Sequence, residues 1–458
     1  MHETLIAAAE APIPIRALSE ADFDNLGDAR LQALAATHRF KAKRGEALLV
    51  TGDDGALAEV LFGLGKGQPD PMSLRGLPGK LPAGDYVLKG DLDPRLSALA
   101  WAMGSYGFDR YKPREDKPRP RLVAPEGCDL EAVTAIAHAC ALARDMVNTP
   151  ASDMGPLQIE TVAREIASQY GATISVVTGD DLLEQGYPAV HAVGRAAASH
   201  RAPRIVEIGW NLDKTDLPLV ALVGKGVVFD SGGLDIKPAS GMRQMKKDMG
   251  GAAHALALGR MVMQARLPVR LVVLTPVVEN AISGDAFRPG DVLSTRKGLT
   301  IEVGNTDAEG RVILSDALAR ASEHNPDLTI DFATLTGAAR VALGPELPPF
   351  YTDDETLAAD LAKAAKAEID PIWRMPLWPG YRDAVDSDIA DVRNDSAEWA
   401  QAGSVTAALF LQRFAPETGS WVHFDIFAWN PRARPGWPAG GEAQAIRGVF
   451  AMLKKRYG

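Results

Sequence analysis

Short apolar runs separated by helical repeats set the frame of this chain. From about Thr149 onward the runs RIVEIGW, PLVALVG, RLVVLTPVV, LTIEV and DLTIDFATL recur, each nearly continuous in Val, Leu and Ile. A strand with one wet face would alternate apolar and polar positions. Uninterrupted runs suit strands covered on both faces, so the pattern predicts an α/β fold with a mostly parallel central sheet flanked by helices. Upstream, EALLV and DYVLKG alternate with DFDNLGDARLQALAATH and PRLSALAWAMGSYG, whose apolar positions fall at helical spacing. These predict a smaller N-terminal α/β domain over residues 1–123. Then comes YKPREDKPRPRLVAPEG, in which three prolines and seven charges crowd the eleven residues 111–121. It reads as a stiff, solvated linker. DLEAVTAIAHACALARDMVN follows as a connecting helix, giving a junction over 124–148 and a second domain over 149–458. A chain of 458 residues exceeds one ordinary core, which agrees with two domains.

Composition changes this picture little. Hydrophobic residues make up 46% and charged ones 24%, the balance of a globular protein. The net charge is -10, and the first 111 residues carry 12 Lys/Arg against 15 Asp/Glu. A nucleic-acid partner is therefore disfavoured, and RFKAKR (residues 39–44) reads as a solvated basic edge. GLGKG (63–67) lacks the full phosphate-loop spacing and reads as a turn. Cys128 and Cys140 lack zinc-site spacing and look like reduced thiols. The N-terminal stretch has no basic region before its apolar residues, and no apolar run approaches the roughly 18 residues needed to span a bilayer. The expectation is a cytoplasmic protein without a membrane partner.

The chemistry concentrates in two glycine-laced loops. VGKGVVFDSGGLDIKPASGMRQMKKDMGGAAHA (223–255) carries Lys225, Asp230, Lys237 and Asp248, and GNTDAEGRV (304–312) carries Asp307, Glu309 and Arg311. Each follows an apolar run, so both emerge beyond the carboxyl ends of strands, where open α/β sheets bind ligands. Glycines at that density serve close backbone approach or positive φ. Four carboxylates gathered in one crevice repel unless cations neutralise them. Oxygen donors without histidine or cysteine suit manganese, magnesium or zinc. The plainer alternative is that each acid caps a helix, as Asp307 before GRVILSDALARA could, and that Lys225 forms a salt bridge to the acids. Two such loops make four separate caps the weaker explanation.

NTDAEGR (305–311) resembles the signature of the leucine aminopeptidase (cytosol aminopeptidase) family, and VGKGVVFDSGGLDIKP with MKKDMGGAA resembles its partner segment. NTPASDMGP, ATLTGA, WVHFDI and YGFDRYK are similar to further family segments. The resemblance implies one divalent ion on Lys225, Asp230, Asp248 and Glu309, and a second on Asp230, Asp307 and Glu309. Manganese or zinc is the expected metal. Lys225 would have to be neutral to ligate, which burial beside a cation favours. The resemblance further implies that a water activated by two ions attacks the peptide carbonyl while Lys237 stabilises the oxyanion. Arg311 would hold a bicarbonate that shuttles the proton, a planar anion that a guanidinium fits. The substrates would be peptides with a free N-terminus, whose α-amino group binds a metal and Asp248. Backbone groups of Leu335 and Gly337 would hold the peptide, and Met245 and Thr334 would border the pocket for its first side chain. Met245 reads equally well as core filler. A homohexamer is the assembly the family implies.

One segment departs from the family pattern. DIFAWN places Phe427, Trp429 and Asn430 where many members carry small residues. That turns the expected preference from leucine towards small, unbranched or polar residues, the last reaching Asn430. His423 reads as a hydrogen-bonded structural histidine. The competing functions are a two-metal phosphoesterase, and an aminopeptidase with a secondary DNA-binding role.

Overall fold

The computed structural model describes residues 4–112, 118–396 and 400–458. The chain divides into two compact units, Met1–Ala141 with Asn430–Ala439, and Leu142–Trp429 with Gly440–Gly458. The division falls inside the expected connecting helix, which runs from Leu130 to Asn148.

The first unit holds six strands: β1 (Leu5–Ile6), β2 (Ile13–Ser19), β3 (Ala47–Thr51), β4 (Leu57–Gly65), β5 (Gly84–Lys89) and β6 (Pro120–Val123). They form one sheet in the order β1-β6-β5-β2-β4-β3. The expected linker needs correcting here. Residues 113–117 lie outside the described residues, but β6 belongs to the same stretch and pairs in parallel with β1 and β5. Its alternation explains this, for Pro120 and Leu122 turn inward and are buried while Arg121 and Val123 are only half-buried. GLGKG is the end of β4 followed by a turn, with Gly65 and Gly67 at φ 75° and 80°.

The second unit is built on β7 (Thr173–Thr178), β8 (Arg204–Trp210), β9 (Leu219–Gly224), β10 (Gly226–Asp230), β11 (Arg270–Asn280), β12 (Val292–Ser294), β13 (Thr300–Glu302), β14 (Leu328–Ala333), β15 (Pro349–Tyr351), β16 (Trp373–Arg374), β17 (Val392–Arg393) and β18 (Ser420–Asp425). The main sheet runs β16-β15-β18-β14-β9-β11-β8-β7, with β10 also paired to β11. Its centre, β18-β14-β9-β11, is parallel, while β8, β7 and β15 pair antiparallel towards the edges. The mostly parallel α/β reading holds.

Two helices cover opposite faces of that centre. Gly259, in the helix Gly250–Gln264, comes close to Leu222, Leu271 and Val273. The residues alternating with those, Ala221, Val223, Val272 and Leu274, share a core with Val312, Ile313 and Ala317 of the helix Glu309–Glu323. Successive side chains on a strand point to opposite faces, so each helix takes one. LTIEV is not in this sheet. It forms β13, between antiparallel β12 and parallel β17 in a separate three-stranded sheet. Ile301 is its one fully buried strand residue, and the half-buried Thr300 and Glu302 beside it do not suit a strand covered on both faces.

Candidate active site

Lys225 follows directly on the end of β9, and its setting depends on two glycines. A Cβ at Gly251 would lie 2.1 Å from the Phe332 carbonyl and 2.6 Å from the Lys225 nitrogen. A Cβ at Gly310 would lie 2.6 Å from Lys225 Nζ. Only glycine lets the starts of the helices Gly250–Gln264 and Glu309–Glu323 press against this lysine. Its Nζ reaches Asp248 Oδ2 at 2.8 Å, Glu309 Oε1 at 2.9 Å and the Thr334 carbonyl at 3.1 Å.

Asp230 ends β10, and its Oδ1 accepts from the Gly232 N–H at 2.9 Å and from Asn280 Nδ2 at 2.8 Å. Lys237 Nζ pairs with Asp230 Oδ2 at 2.8 Å and with Asp307. Asp248 Oδ1 accepts from Thr334 Oγ1 at 2.9 Å. Asp307 does not cap the long helix, whose first turn has no side-chain capping bond. The local cap is Asn305, which accepts from the Asp307 N–H at 2.7 Å and leaves that carboxylate free to turn into the site. One oxygen from each of Asp230, Asp307 and Glu309 lies within 4.8 Å of the others, and Lys225 links Asp248 to this group.

The electrostatics are those of carboxylates lacking enough positive charge. Burial, followed by the charge of Asp230, raises Glu309 to about 8 and Asp307 to about 6. Burial disfavours the ammonium forms of Lys225 and Lys237. Asp248, Glu309 and Asp230 outweigh it at Lys225, and Asp230 and Asp307 at Lys237, so both sit above the ordinary lysine range. Among the protein's own groups, Lys225 thus has the salt-bridged state. Arg311 is buried, its pKa lowered by burial to about 10, and its Nε has no hydrogen-bond partner among the described residues.

A cleft of about 730 Å³ opens over this cluster. It is lined by Lys225, Asp230, Lys237, Asp248, Asp307 and Arg311, and the residues expected at the substrate, Met245, Thr334, Leu335, Gly337 and Phe427, line it too. Glu309 lies beneath, 1% exposed. Asn430 is elsewhere engaged, its Nδ2 donating to the carbonyls of Trp437 and Pro438 at 2.9 and 3.0 Å. The idea that polar substrates reach Asn430 is therefore dropped. His423 is structural, buried against Asp331 through Nδ1 and stacked on Tyr351 and Trp421.

Several supporting residues escaped sequence reasoning. Asn280 orients Asp230. Asn394 ties down the second loop by accepting from the Gly304 and Asn305 N–H groups and donating to the Asn305 carbonyl. Asp425 accepts from the N–H groups of Leu335 and Thr336, both at 3.1 Å. WVHFDI contained Asp425, but nothing in that pattern says what its carboxylate would hold.

Residues 141–450 match the catalytic domain of the cytosol aminopeptidase family, and residues 13–125 match the family's N-terminal domain. The chain belongs to the cytosol aminopeptidase family. It is 40% identical over 369 residues to a probable cytosol aminopeptidase of Syntrophotalea carbinolica, covering 77% of this chain and 73% of that one. Against one from Chlorobium limicola it is 35% identical over 458 residues, covering 91% and 90%. The crystal structure of cytosol aminopeptidase from Coxiella burnetii superposes with a TM-score of 0.93 at 43% identity, over 99% of this chain and 100% of that one. The bottromycin maturation enzyme BotP in complex with Mn gives 0.88 at 32%, over 98% and 100%. The chain is accordingly a metal-dependent aminopeptidase, a hydrolase, and the phosphoesterase reading falls away.

Proposed function

We propose that this aminopeptidase holds two divalent ions, one on Lys225, Asp230, Asp248 and Glu309, the other on Asp230, Asp307 and Glu309. The observation that carries the proposal is a set of orphaned oxygens. Asp248 Oδ2, Asp307 Oδ1 and both oxygens of Glu309 are buried without a well-aligned hydrogen-bond donor, although lysine ammonium groups touch three of them. Buried carboxylate oxygens in that condition are costly unless a cation completes them. The all-oxygen set with one amine suits manganese or zinc, and the Mn complex of BotP supports manganese. When bound, such a pair supplies Lewis acidity and a water acidified to near neutrality.

The protein's own groups do the rest. Asp248, fixed by Thr334, receives the substrate's α-amino group, which restricts the enzyme to unblocked N-termini. Asp425 occupies the Leu335 N–H, so the Leu335 carbonyl and the Gly337 N–H, at a helix start, are the groups left for the peptide backbone. Lys237, at the cleft wall, donates to the oxyanion as the carbonyl becomes tetrahedral. Arg311 keeps its charge at neutral pH, and its guanidinium plane fits a planar anion such as bicarbonate.

All of these residues fall within 149–458, which we assign as the catalytic domain, with 124–148 joining it to the N-terminal domain over 1–123. Family resemblance supports a homohexamer in the cytoplasm. No helix among the described residues is long and apolar enough to cross a membrane. A peptide and its N-acetylated twin, incubated with the manganese-loaded enzyme and followed by mass spectrometry, test the reading. Stepwise loss of N-terminal residues from the free peptide alone is expected. Cleavage of the blocked twin, or of internal bonds, would refute it.

A further inference from the structure

Two cations in the cleft have no part in the reaction described above. Lys247, 6% exposed, places Nζ 3.5 Å from Asp248 Oδ1 and 5.3 Å from the centre of the Phe427 ring. Arg340, on the helix Gly337–Leu343, sets its Cζ 4.6 Å from the centre of the same ring. One of its terminal nitrogens lies 3.6 Å from the point a Cβ on Gly337 would occupy, so the guanidinium folds back over the peptide-binding segment. All three residues line the cleft.

The ring that both cations approach is held in place. The N–H groups of Phe427 and Ala428 both donate to Gln444 Oε1, at 3.0 and 2.9 Å. Gln444 Nε2 donates to the Pro345 carbonyl at 2.8 Å, and the Gln444 N–H donates to His254 Nε2 at 2.9 Å. Ala428 adopts a left-handed φ of 54°, which this bonding maintains. The backbone that carries Phe427 is therefore fixed, and its ring is a wall of the cleft on which both cations bear.

Neither cation has an anion to itself. Arg340 makes no ion pair among the described residues, and its charge rests on an aromatic face. Lys247 has only Asp248, which already pairs with Lys225 and is the proposed anchor of the substrate's α-amino group. Lys247 is buried and shares its one anion, while Arg340 stands exposed at the cleft, so a ligand carboxylate gives the first a partner and the second a charge-assisted hydrogen bond. Adjacency to Asp248 also fixes where that anion sits. An α-amino group bound there puts the first side chain, rather than a later one, beside Lys247 and Phe427.

We propose that the pocket for the first side chain selects acidic residues, with Arg340 and Lys247 receiving the side-chain carboxylate of an N-terminal glutamate or aspartate beside the Phe427 ring. The proposal rests on the aminopeptidase reading of the cleft. It replaces the expectation of a small-residue pocket with one of defined charge.

The test compares aminomethylcoumarin amides of glutamate, aspartate, glutamine, alanine and leucine on the manganese-loaded enzyme and on Arg340→Ala, Arg340→Glu and Lys247→Met. Calorimetric binding of the phosphonate analogues of glutamate and leucine supplies a readout independent of turnover. Arg340 is exposed, so its variants should fold even if Lys247→Met does not. In the wild type, kcat/KM should favour the glutamyl over the isosteric glutaminyl amide. Arg340→Ala should reduce that ratio about 10- to 100-fold, the value of a hydrogen bond to a charged group. Arg340→Glu should invert it, and the glutamate phosphonate should lose its advantage in step. A wild type that prefers leucyl or glutaminyl amides, with a ratio the Arg340 variants leave unmoved, would overturn the acidic pocket and leave the aminopeptidase reading intact. Failure to hydrolyse any amide would strike at the aminopeptidase reading itself. The acidic pocket would then fall if the glutamate phosphonate bound no tighter than the leucine one.

Discussion

Glu309→Gln should make the chelated protein more stable while destroying its function. The side chain is 1% exposed, both its oxygens lack an aligned donor, and burial together with Asp230 raises its pKa from 4.5 to about 8. A folded pKa above the unfolded one means that the folded state binds the proton more tightly. Its stability is then fully present below about pH 4.5 and declines as the pH rises through about 8. At pH 7 the rise already spans about 2.5 pH units from the unfolded value, or about 3 kcal/mol held against folding. Glutamine keeps the shape and removes the charge, so most of that should be regained. The raised value is already net of the pull of Lys225, so the expected gain stays at or below about 3 kcal/mol. Urea melts of chelator-treated wild type and variant at pH 5 and pH 7.5 measure it, and the gain should shrink at the lower pH. With metal restored, elemental analysis should find at least one ion missing and amide hydrolysis should collapse. A chelated variant less stable than wild type at pH 7.5, or one that turns over normally with two ions bound, would refute the reasoning.

Lys237→Ala should retain both ions and lose about 100- to 1,000-fold in kcat, as removal of one oxyanion donor does. Because Lys237 also touches Asp230 and Asp307, a metal-depleted variant would mean that the roles of Lys225 and Lys237 are exchanged. Phe427→Ala should shift the ranking of amino-acid amides towards leucine and phenylalanine in graded fashion, since a methylene is worth about 1–3 kcal/mol. An unchanged ranking would place the ring outside the pocket. Glu207 gives a pH signature away from the metals. Burial would raise its pKa, but hydrogen bonds from His324 and Arg320 hold it down at about 2. That depression stabilises the fold above about pH 4.5 and is lost as the pH falls towards about 2, so Glu207→Gln should cost about 3 kcal/mol at pH 7 and almost nothing near pH 2. An equal cost in urea melts at both pH values would contradict it. Chelation should abolish hydrolysis, and manganese, zinc or cobalt should restore it.

The sequence carried the α/β class because β9, β11 and β14 are buried on both faces, and β9 and the first half of β11 read as nearly continuous apolar runs. It misjudged β13, since three residues are too few for a run to declare which sheet it joins. It misjudged β6 because seven charges nearby hid a two-residue alternation. The acidic cluster was legible because glycine-laced loops and carboxylates fall close together along the chain. Residues that act across long separations were not. Asn280 is 50 positions from Asp230, Asn394 is 90 from Gly304, and Asp425 is 90 from Leu335. Their partners are set by the return of the chain across the sheet, which no local pattern encodes. The same holds for Arg340 and Phe427, brought together only when the loops after β14 and β18 meet over one cleft.

The central claim is that four carboxylates and one lysine hold two ions over which peptide N-termini are cut. Anomalous scattering from a crystal of the manganese-loaded enzyme, collected on either side of the manganese edge, tests it most directly. Two anomalous peaks per chain are expected. One should lie within coordination distance of Lys225, Asp230, Asp248 and Glu309, the other within reach of Asp230, Asp307 and Glu309. A single peak, or peaks away from these side chains with the Lys225 pairs to Asp248 and Glu309 intact, would contradict it.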